Sequence, residues 1–236
     1  MKEALSEGGA KPYGDGGRLV IVGAGRHGRE LEAYCQDLHK HGQALELLGF
    51  IDELKAPGTF GSTQVLGDFA RAEELVHMYG EVLYVAAAGD NTLRHRLVEQ
   101  AENAGLRAAT LVHPTAYVGP ECELGEGTVL APGTVVTRAV VLGRHNILNV
   151  GVTVSHDCTL GEFVNLNPGV TVCGDVEIGA ACYIGAGTTI IDKVSIGPDT
   201  IVGAGSVVID SLPAAVLALG VPARVVRELH TRPKLV

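Results

Sequence analysis

The chain has 236 residues, long enough for two modest domains, and 46% of them are hydrophobic although only 4% are aromatic. Its net charge of −9 offers no basic stripe, which argues against nucleic acid as a partner. Residues 1–17 are glycine-rich and polar and are expected to form a flexible tail. Neither the tail nor any later segment has the apolar run of a signal peptide or a membrane span, so a cytoplasmic protein is expected.

Residues 18–111 alternate short apolar runs with helical patterns. Strands are predicted at residues 18–22, 45–52, 81–88 and 107–112. Helices are predicted from the end of the glycine-rich segment at residues 23–28 to about residue 41, over residues 65–79 and over residues 91–104. This alternation predicts a small parallel sheet with helices outside it, which is a Rossmann-like α/β domain.

A glycine-rich turn follows the first predicted strand. The segment Gly23-Ala24-Gly25-Arg26-His27-Gly28 matches the dinucleotide fingerprint, and Asp52 and Glu53 end the second strand. However, the domain is only half the size of a full dinucleotide fold, and amides at a helix N-terminus bind any phosphate. A nucleotide-linked sugar is therefore favoured, while a nicotinamide cofactor and a purely structural turn stay open. His27 could reach a phosphate or sugar, or simply lie at the helix end.

An aliphatic residue returns at every sixth position from Val112 to Val208 without interruption. This period fits neither a helix nor one long strand and is typical of a β-helix built from hexapeptide repeats. The aliphatic residues are predicted to stack inside, with small residues beside them and glycine in the tight corners. These anchors are Val112, Val118, Leu124, Leu130, Val136, Leu142, Leu148, Val154, Leu160, Leu166, Val172, Ile178, Ile184, Ile190, Ile196, Val202 and Val208.

The cysteines and histidines of the repeat form no recognisable disulfide or metal pattern. Cys122, Cys158 and Cys182 occupy the small-residue position of their hexapeptides, so they are predicted to be reduced, buried thiols. The spacings among His113, His145 and His156 do not supply the histidine pair that a metal site on facing coils needs. No metal is expected.

His156 is the candidate for catalysis. It is predicted at a corner, pointing out of the prism, and Asp157 directly follows it, where a carboxylate can orient an imidazole and raise its basicity. Because three hexapeptides form one coil, residues 18 apart should lie one above the other, which places Gly174 next to His156. A bare backbone there would admit a substrate and leave an N–H for an oxyanion. The alternative is that His156 and Asp157 are ordinary polar corner residues with no catalytic role.

The order of these motifs resembles that of the bacterial hexapeptide-repeat sugar acetyltransferases. The resemblance covers residues 18–228 and rests on the glycine-rich loop, Phe50-Ile51-Asp52-Glu53, Gly89-Asp90-Asn91, His113-Pro114, Ser155-His156-Asp157-Cys158 and Gly220-Val221-Pro222-Ala223. The family includes N-acetyltransferases of nucleotide-linked 4-amino sugars, of the UDP-bacillosamine and GDP-perosamine types, and sialic acid O-acetyltransferases.

The resemblance implies the arrangement of the whole molecule. Residues 18–111 would form a nucleotide-sugar-binding domain, residues 112–213 a left-handed parallel β-helix, and residues 214–236 a C-terminal cap and tail. The resemblance also implies a homotrimer in which acetyl-CoA, a co-substrate, lies in the groove between neighbouring β-helices.

It further implies roles for individual residues. The predicted catalytic set comprises the general base, its acidic partner and the amide that receives the thioester oxygen, namely His156, Asp157 and Gly174. The predicted substrate-binding set lies at the phosphates and the nucleoside and comprises Gly25, Arg26, His27, Asp52 and Glu53. The predicted coenzyme-binding set comprises Asn165, Gly174, Ala186, Ala204 and Ala223. Asn165 stands where close members carry a histidine near the acetyl group, and its amide can hydrogen-bond but cannot titrate.

Together these observations predict an acetyl-CoA-dependent N-acetyltransferase acting on the amino group of a nucleotide-linked 4-amino-4,6-dideoxy sugar. The nucleotide would be UDP, GDP or dTDP, and transfer would be direct, in a ternary complex, with His156 as general base. Two alternatives stay open. One is O-acetylation of a free sugar such as sialic acid, and the other is a non-catalytic trimer that senses a nucleotide sugar.

Overall fold

The computed structural model describes residues 17–229. An α/β domain comes first and a parallel β-helix of hexapeptide repeats follows, which confirms the predicted fold class. Of the tail expected at residues 1–17, only Gly17 lies within the described residues, and it begins the first strand. Residues 230–236 of the predicted C-terminal tail also lie outside the described part.

A six-stranded sheet forms the centre of the α/β domain. Its strands are β1 (Gly17–Val22), β2 (Leu45–Ile51), β3 (Gly58–Phe60), β4 (Thr63–Gly67), β5 (Leu83–Ala86) and β6 (Arg107–Ala108). The order across the sheet is β3-β4-β2-β1-β5-β6, and every pair is parallel except the hairpin β3–β4. The side chains of β5 and most of β1 are buried, as expected for a parallel sheet covered on both faces.

The helices of the domain are α1 (Arg26–Lys40), α2 (Phe69–Tyr79) and α3 (Asn91–Asn103). The helix predicted over residues 65–79 begins later, because residues 65–67 continue strand β4. Asp68 then starts α2 by accepting a hydrogen bond from the Ala70 amide at 3.1 Å. No helix among residues 17–229 is long and apolar enough to cross a bilayer.

The hairpin β3–β4 was not predicted from the sequence, since its strands are short and largely polar. A buried carboxylate from α1 holds its turn in place. Oε1 of Glu32 accepts hydrogen bonds from the Ser62 amide at 2.9 Å and from the Ser62 hydroxyl at 2.7 Å. A tertiary contact therefore decides the conformation of this segment.

Each hexapeptide contributes one two-residue strand, and three parallel sheets result. The strands are β7 (Leu111–Val112), β8 (Tyr117–Val118), β9 (Glu123–Leu124), β10 (Val129–Leu130), β11 (Val135–Val136), β12 (Val141–Leu142), β13 (Ile147–Leu148), β14 (Thr153–Val154), β15 (Thr159–Leu160), β16 (Asn165–Leu166), β17 (Thr171–Val172), β18 (Glu177–Ile178), β19 (Tyr183–Ile184), β20 (Thr189–Ile190), β21 (Ser195–Ile196), β22 (Ile201–Val202) and β23 (Val207–Val208). A hairpin of β24 (Val216–Gly220) and β25 (Ala223–Glu228) then pairs with β22.

The three sheets are called faces A, B and C in chain order. Face A contains β7, β10, β13, β16, β19, β22, β24 and β25, face B runs from β8 to β23, and face C runs from β9 to β21. Corners AB, BC and CA connect them. Strand partners are 18 residues apart, as when Val154 pairs with Val172, so the predicted coil length is confirmed. The aliphatic anchors form the buried core of the prism.

Where a glycine directly follows an anchor, it has a different purpose from the predicted one. The left-handed backbone occurs two residues later, and other residue types also adopt it there, such as Asp157 with φ 58° and Phe163 with φ 57°. After the anchors, coils approach each other closely instead. A Cβ atom on Gly161 would lie only 2.6 Å from the backbone N of Ala180 in the next coil. Corner CA therefore requires glycine at this position in each coil, because the coils could not stack around a side chain there, whereas Asn167 and Ile191 occupy the same position at the other two corners.

The α/β domain packs against face A and corner CA. Val129 and Ile147, which point outward from face A, share an apolar cluster with Leu19 and Leu31. Phe163 of corner CA packs with residues of β5 and α3 in a second cluster. The two domains therefore share apolar cores, and corner BC lies on a part of the prism that these two clusters do not include.

A histidine is buried in this junction. His145 of corner CA is only 2% exposed, and its ring lies near those of Tyr84 and Phe163, at centroid distances of 6.2 and 5.0 Å. Burial, reinforced by the charge of Arg144, lowers the pKa of His145 to about 4 although Glu102 opposes the shift from 3.7 Å away. His145 is thus neutral in the folded protein near neutral pH.

This burial predicts that stability falls as the pH is lowered. In the unfolded chain His145 binds a proton near its ordinary pKa of 6.5, whereas in the folded protein it does so only near 4. Its contribution is therefore fully present above pH 6.5 and is lost as the pH falls from 6.5 toward 4, by at most about 3 kcal/mol. Denaturant unfolding across this window should show a shallower decline for His145→Asn than for the wild type. Equal slopes would contradict the prediction.

Candidate active site

His156 and Asp157 form an exposed pair at corner BC. Nδ1 of His156 lies 2.8 Å from Oδ2 of Asp157, and the two side chains are 63% and 64% exposed. A carboxylate at Nδ1 favours the tautomer that carries its proton there, which leaves the lone pair of Nε2 to accept a proton. Asp157 has the left-handed backbone of its corner position, with φ 58°, and its carboxylate lies next to the imidazole of the preceding residue. Such a pair can act as a general base.

Gly174 lies directly beside the His156 ring, one coil further along. A Cβ atom on Gly174 would lie 2.6 Å from Cε1 and 2.8 Å from Nε2 of His156. From the sequence we expected the bare backbone of Gly174 to admit a substrate. In the structure, the imidazole ring already occupies that space. A side chain at position 174 would collide with the His156 ring, so His156 can keep this orientation only if residue 174 is glycine.

The amide of Gly174 has no hydrogen-bond acceptor within residues 17–229. Its position in the hexapeptide explains this, since amides at the third position do not take part in the ladder between coils. Proline, which has no amide hydrogen, occupies the same position in other hexapeptides, at Pro114, Pro120, Pro132, Pro168 and Pro198. The corner thus presents an unused N–H next to an imidazole, which is the arrangement an oxyanion site needs.

The glycine-rich loop connects β1 to α1. Gly25 is the N-terminal cap residue of α1, so the first amides of the helix point toward the loop. Gly28 is required for close packing, because a Cβ atom there would collide with the carbonyl of Gly23. The loop lies where chain order reverses, between β1's neighbours β2 and β5, and ligands of such sheets bind outside this point.

The two candidate side chains in this loop differ in their surroundings. Arg26 is exposed, whereas His27 is partly buried and its Nδ1 lies 3.1 Å from Oε2 of Glu30. This hydrogen bond lowers the pKa of Glu30. Nε2 of His27 is buried and has no partner among the described residues. His27 thus already pairs within its own helix, while its second nitrogen is buried without a partner in the described structure.

The carboxylate of Asp52 accepts hydrogen bonds from nearby backbone amides. Its Oδ2 accepts from the Ala24 amide at 2.7 Å, and Oδ1 accepts from the amides of Leu54 at 2.9 Å and Lys55 at 3.1 Å. Both carboxylate oxygens therefore hold the glycine-rich loop and the turn after β2. The nucleoside contact predicted for Asp52 stays a prediction, and its replacement would disturb the loop whatever the ligand.

Glu53, predicted alongside Asp52, turns toward α3. Its Oε1 accepts from Nε2 of Gln100 at 2.6 Å, and its Oε2 lies 3.7 Å from Arg96. Glu53 lines a groove of about 500 Å³ between α2 and α3, together with Asp68, Phe69, Glu73, Gln100 and Asn103. The two acidic residues thus have separate surroundings, and only Glu53 borders an open groove.

The small residues predicted along the coenzyme fall into two groups. Ala186 and Ala204 are exposed, one coil apart, at corner AB. At the fourth position of the same corner a Cβ atom on Gly187 or Gly205 would meet no atom within 4 Å. The side chain of Ala223, in contrast, is part of the buried core, so only its backbone could contact a ligand. Corner AB therefore presents an exposed strip without bulky side chains, along which a long, flexible molecule could lie.

Asn165 lies in the domain junction instead of on an open surface. It is 1% exposed, and its Nδ2 donates to the carbonyl of Gly89 at 2.7 Å. Its Oδ1 is buried and has no partner within the described chain. Asn165 therefore connects face A to the loop after β5, and its predicted contact with the coenzyme stays a prediction.

Two cationic residues near the predicted sites were missed from the sequence. Nζ of Lys55 donates to the carbonyl of Ala24 and lies 3.8 Å from the centre of the Phe60 ring, so it braces the glycine-rich loop. Arg94 is buried between the domains. Nothing in the local sequence marks either one, because an arginine or lysine in a polar stretch is ordinarily exposed.

The cysteines are free thiols throughout residues 17–229. Cys158 and Cys182 are buried as predicted, Cys122 is half-buried, and burial raises the pKa of the Cys35 thiol to about 12. No group of three or more histidine, cysteine, aspartate or glutamate residues in the described chain is placed to hold a metal ion. The expectation that the protein binds no metal stays a prediction.

Both parts of the chain match models of known protein families. Residues 18–101 match the PglD N-terminal domain, and residues 175–210 match the bacterial transferase hexapeptide (six repeats). UDP-N-acetylbacillosamine N-acetyltransferase of Bacillus subtilis is 32% identical over 111 residues, which is 47% of this chain and about half (50%) of that protein.

Solved structures match over nearly the whole length. A histidine-to-asparagine variant of perosamine N-acetyltransferase from Caulobacter crescentus, in complex with CoA and GDP-perosamine, is 33% identical. The match covers 90% of this chain and 98% of that one, with a TM-score of 0.82. The acetyltransferase domain of PglB from Neisseria gonorrhoeae, in complex with acetyl coenzyme A, is 28% identical over 89% of this chain and 100% of that one, with a TM-score of 0.80.

The chain belongs to the PglD-type family of hexapeptide-repeat sugar N-acetyltransferases. The resemblance seen in the motif order is thereby confirmed, and with it the enzyme class, an acetyl-CoA-dependent sugar N-acetyltransferase. The match to the first family model ends at residue 101, and the match to the second begins at residue 175. His156 and Gly174 lie between them, so the geometry of corner BC carries the argument for their roles.

The contact between Gly174 and His156 gives a test of the candidate site. Gly174→Ala should force the imidazole out of its position and lower turnover by about 10²-fold, the usual order for a misplaced catalytic group. Stability should change little, because only an exposed side chain has to rotate. Acetyl transfer and thermal unfolding should be measured on the same preparations. Turnover within a few-fold of the wild type would show that the ring position is unimportant.

Proposed function

We propose that the enzyme transfers the acetyl group of acetyl-CoA to the amino group of a nucleotide-linked 4-amino-4,6-dideoxy sugar, with His156 as general base. The observation that carries this proposal is the His156–Asp157 hydrogen bond of 2.8 Å at the corner where Gly174 presents an unused amide. A base, its orienting carboxylate and an oxyanion donor are the groups that acyl transfer from a thioester requires.

The reaction is a direct transfer in a ternary complex. The acceptor nitrogen attacks the thioester carbonyl, and Nε2 of His156 takes the proton that the nitrogen loses. The carbonyl oxygen becomes an oxyanion, which the Gly174 amide stabilises. The C–S bond then breaks, the amide product forms, and the CoA sulfur takes up the proton from the His156 imidazolium, so that CoA leaves as a thiol and His156 becomes neutral again. Asp157 stabilises the imidazolium that His156 becomes.

The acceptor class is supported by the α/β domain. Its glycine-rich loop offers helix N-terminal amides at the switch point of the sheet, which suits a diphosphate. The relatives act on or bind sugars linked to UDP and GDP, as the bacillosamine and perosamine enzymes do. The arrangement of residues does not favour one nucleotide, so UDP, GDP and dTDP sugars are the acceptors to test.

A homotrimer is part of the proposal. His156 stands on corner BC, whereas the α/β domain of the same chain packs on face A and corner CA. Large apolar side chains, among them Tyr117 and Val141 on faces B and C, are exposed in the single chain. A second β-helix packed along this side would cover them and form the wall of a coenzyme groove containing Ala186 and Ala204. The cytoplasmic location expected from the sequence stays a prediction.

The acceptor can be identified by following CoA release with a thiol reagent. Acetyl-CoA would be offered with UDP-, GDP- and dTDP-linked 4-amino-4,6-dideoxy sugars and with free sialic acid. We expect rapid release with one nucleotide-linked amino sugar and none with sialic acid. Release with sialic acid alone would make the enzyme an O-acetyltransferase, and binding of acetyl-CoA without any release would favour a non-catalytic sensor.

Variants of the exposed pair test the mechanism. His156→Ala should lower turnover by about 10²–10⁴-fold, the usual contribution of a general base, while the affinity for acetyl-CoA stays within a few-fold. Asp157→Asn should also be impaired, because an amide can donate to Nδ1 and thereby select the wrong tautomer.

Asp175→Asn provides the matched control for Asp157→Asn. Asp175 occupies the same corner position one coil later, with a similar φ of 61°, and makes no hydrogen bond to the imidazole in the described structure. Loss of activity in Asp157→Asn but not in Asp175→Asn would show that activity depends on the hydrogen bond between Asp157 and His156. A fully active His156→Ala enzyme would remove His156 from the mechanism.

A further inference from the structure

A buried guanidinium joins the two domains. Arg94 of α3 is 1% exposed, and its Nη1 donates to the Ala88 carbonyl at 2.9 Å. Its Nε donates to the carbonyl of His145 at 3.2 Å, and Nη2 donates to the carbonyl of Phe163 at 2.9 Å. One side chain thus holds the loop after β5 and two successive coils of corner CA.

Two amide side chains strengthen the same connection. Nδ2 of Asn91 donates to the carbonyls of Ala181 at 2.8 Å and Cys182 at 3.2 Å, and its Oδ1 accepts from Nη2 of Arg94 at 2.9 Å. From the β-helix side, Asn165 donates to the carbonyl of Gly89. Residues 88–91 are therefore tied to three consecutive coils. We call this segment the junction loop.

The junction loop forms one side of the predicted acceptor site. It follows β5, and Ala86 at the end of that strand pairs with Val22 at the end of β1, where the glycine-rich loop begins. The two loops are thus neighbours at the carboxyl ends of adjacent parallel strands. This is the switch point at which a nucleotide-linked ligand would lie.

The free energy needed to bury the Arg94 guanidinium indicates that this residue does more than fill space. Burial of a guanidinium costs several kcal/mol, and an apolar side chain of similar volume often gives equal or greater stability. Only a planar fork with several fixed donors can bind three carbonyls in defined directions. Arg94 therefore fixes a geometry that an apolar contact would leave free to slide.

We propose that Arg94 is a positioning residue for acetyl transfer. By fixing the junction loop to the coils of corner CA, it sets the distance between the acceptor crevice and the β-helix that carries the acetyl group. This inference rests on the proposed function, because it needs an acceptor in that crevice. Arg94 itself touches neither substrate.

The test compares Arg94→Met and Arg94→Lys with Arg144→Met. Arg144 also connects the domains, through an ion pair of 2.6 Å with Glu102, but it does not contact the junction loop. We expect both Arg94 variants to lose about 10²-fold in kcat with the amino sugar, whereas KM for acetyl-CoA stays within a few-fold. Lysine should not rescue kcat, since an ammonium cannot reproduce the fork. Arg144→Met should keep its kcat.

Several outcomes would overturn the inference. They include an Arg94→Met enzyme with wild-type kcat, or a kcat loss in Arg144→Met equal to that in Arg94→Met. If Arg94→Met does not fold, Asn91→Ala removes the bonds to Ala181 and Cys182 and should lower kcat in the same way by a smaller factor. A wild-type protein that acetylates no acceptor would sink the proposed function itself, whereas wild-type turnover with unaffected variants would sink only this inference.

Discussion

The hydrogen-bonded stacking of one coil on the next is the constraint on which the rest of this structure depends. It repeats every 18 residues, so a side chain at one corner always meets the residue 18 positions along the chain. The amide at the third position of the hexapeptide donates no hydrogen bond in this ladder, so proline can occupy that position in some coils and His156 and Gly174 occupy it in others. The candidate active site is therefore built from positions whose carbonyls join the coils and whose amides stay unused.

This regularity also explains why glycine serves distinct purposes in the chain. Gly161 is small because two coils approach at that point, and Gly28 because the helix and the strand of the α/β domain are close. Gly174 is small because an imidazole ring fills the space of its side chain. Conformational freedom accounts for none of the three. A repeat glycine without a left-handed backbone therefore indicates limited space, and only the neighbouring coil shows what limits it. Gly187 and Gly205, in contrast, have a left-handed backbone and open space beside them.

Polar groups hold the two domains in one orientation. The apolar clusters of face A and corner CA supply most of the contact, but such contacts tolerate sliding. Arg94, Asn91 and Asn165 add directional hydrogen bonds to carbonyls on both sides of the junction. His156 lies on a different corner from this junction, so in the proposed trimer a neighbouring subunit would fill the space between the proposed base and the proposed nucleotide site.

The sequence by itself determined the repeat, the coil length, the α/β class of the first domain and the nearness of His156 to Gly174, because strict periodicity and local strand–helix alternation fix these features. It did not determine the hairpin at residues 58–67, where the buried Glu32 overrides weak local preference. Nor did it determine that Asp52 holds backbone amides, that Asn165 lies in the junction or that Arg94 is buried. Each of these depends on contacts between residues distant in the chain, and only the tertiary structure decides which groups lose their water and which partners replace it.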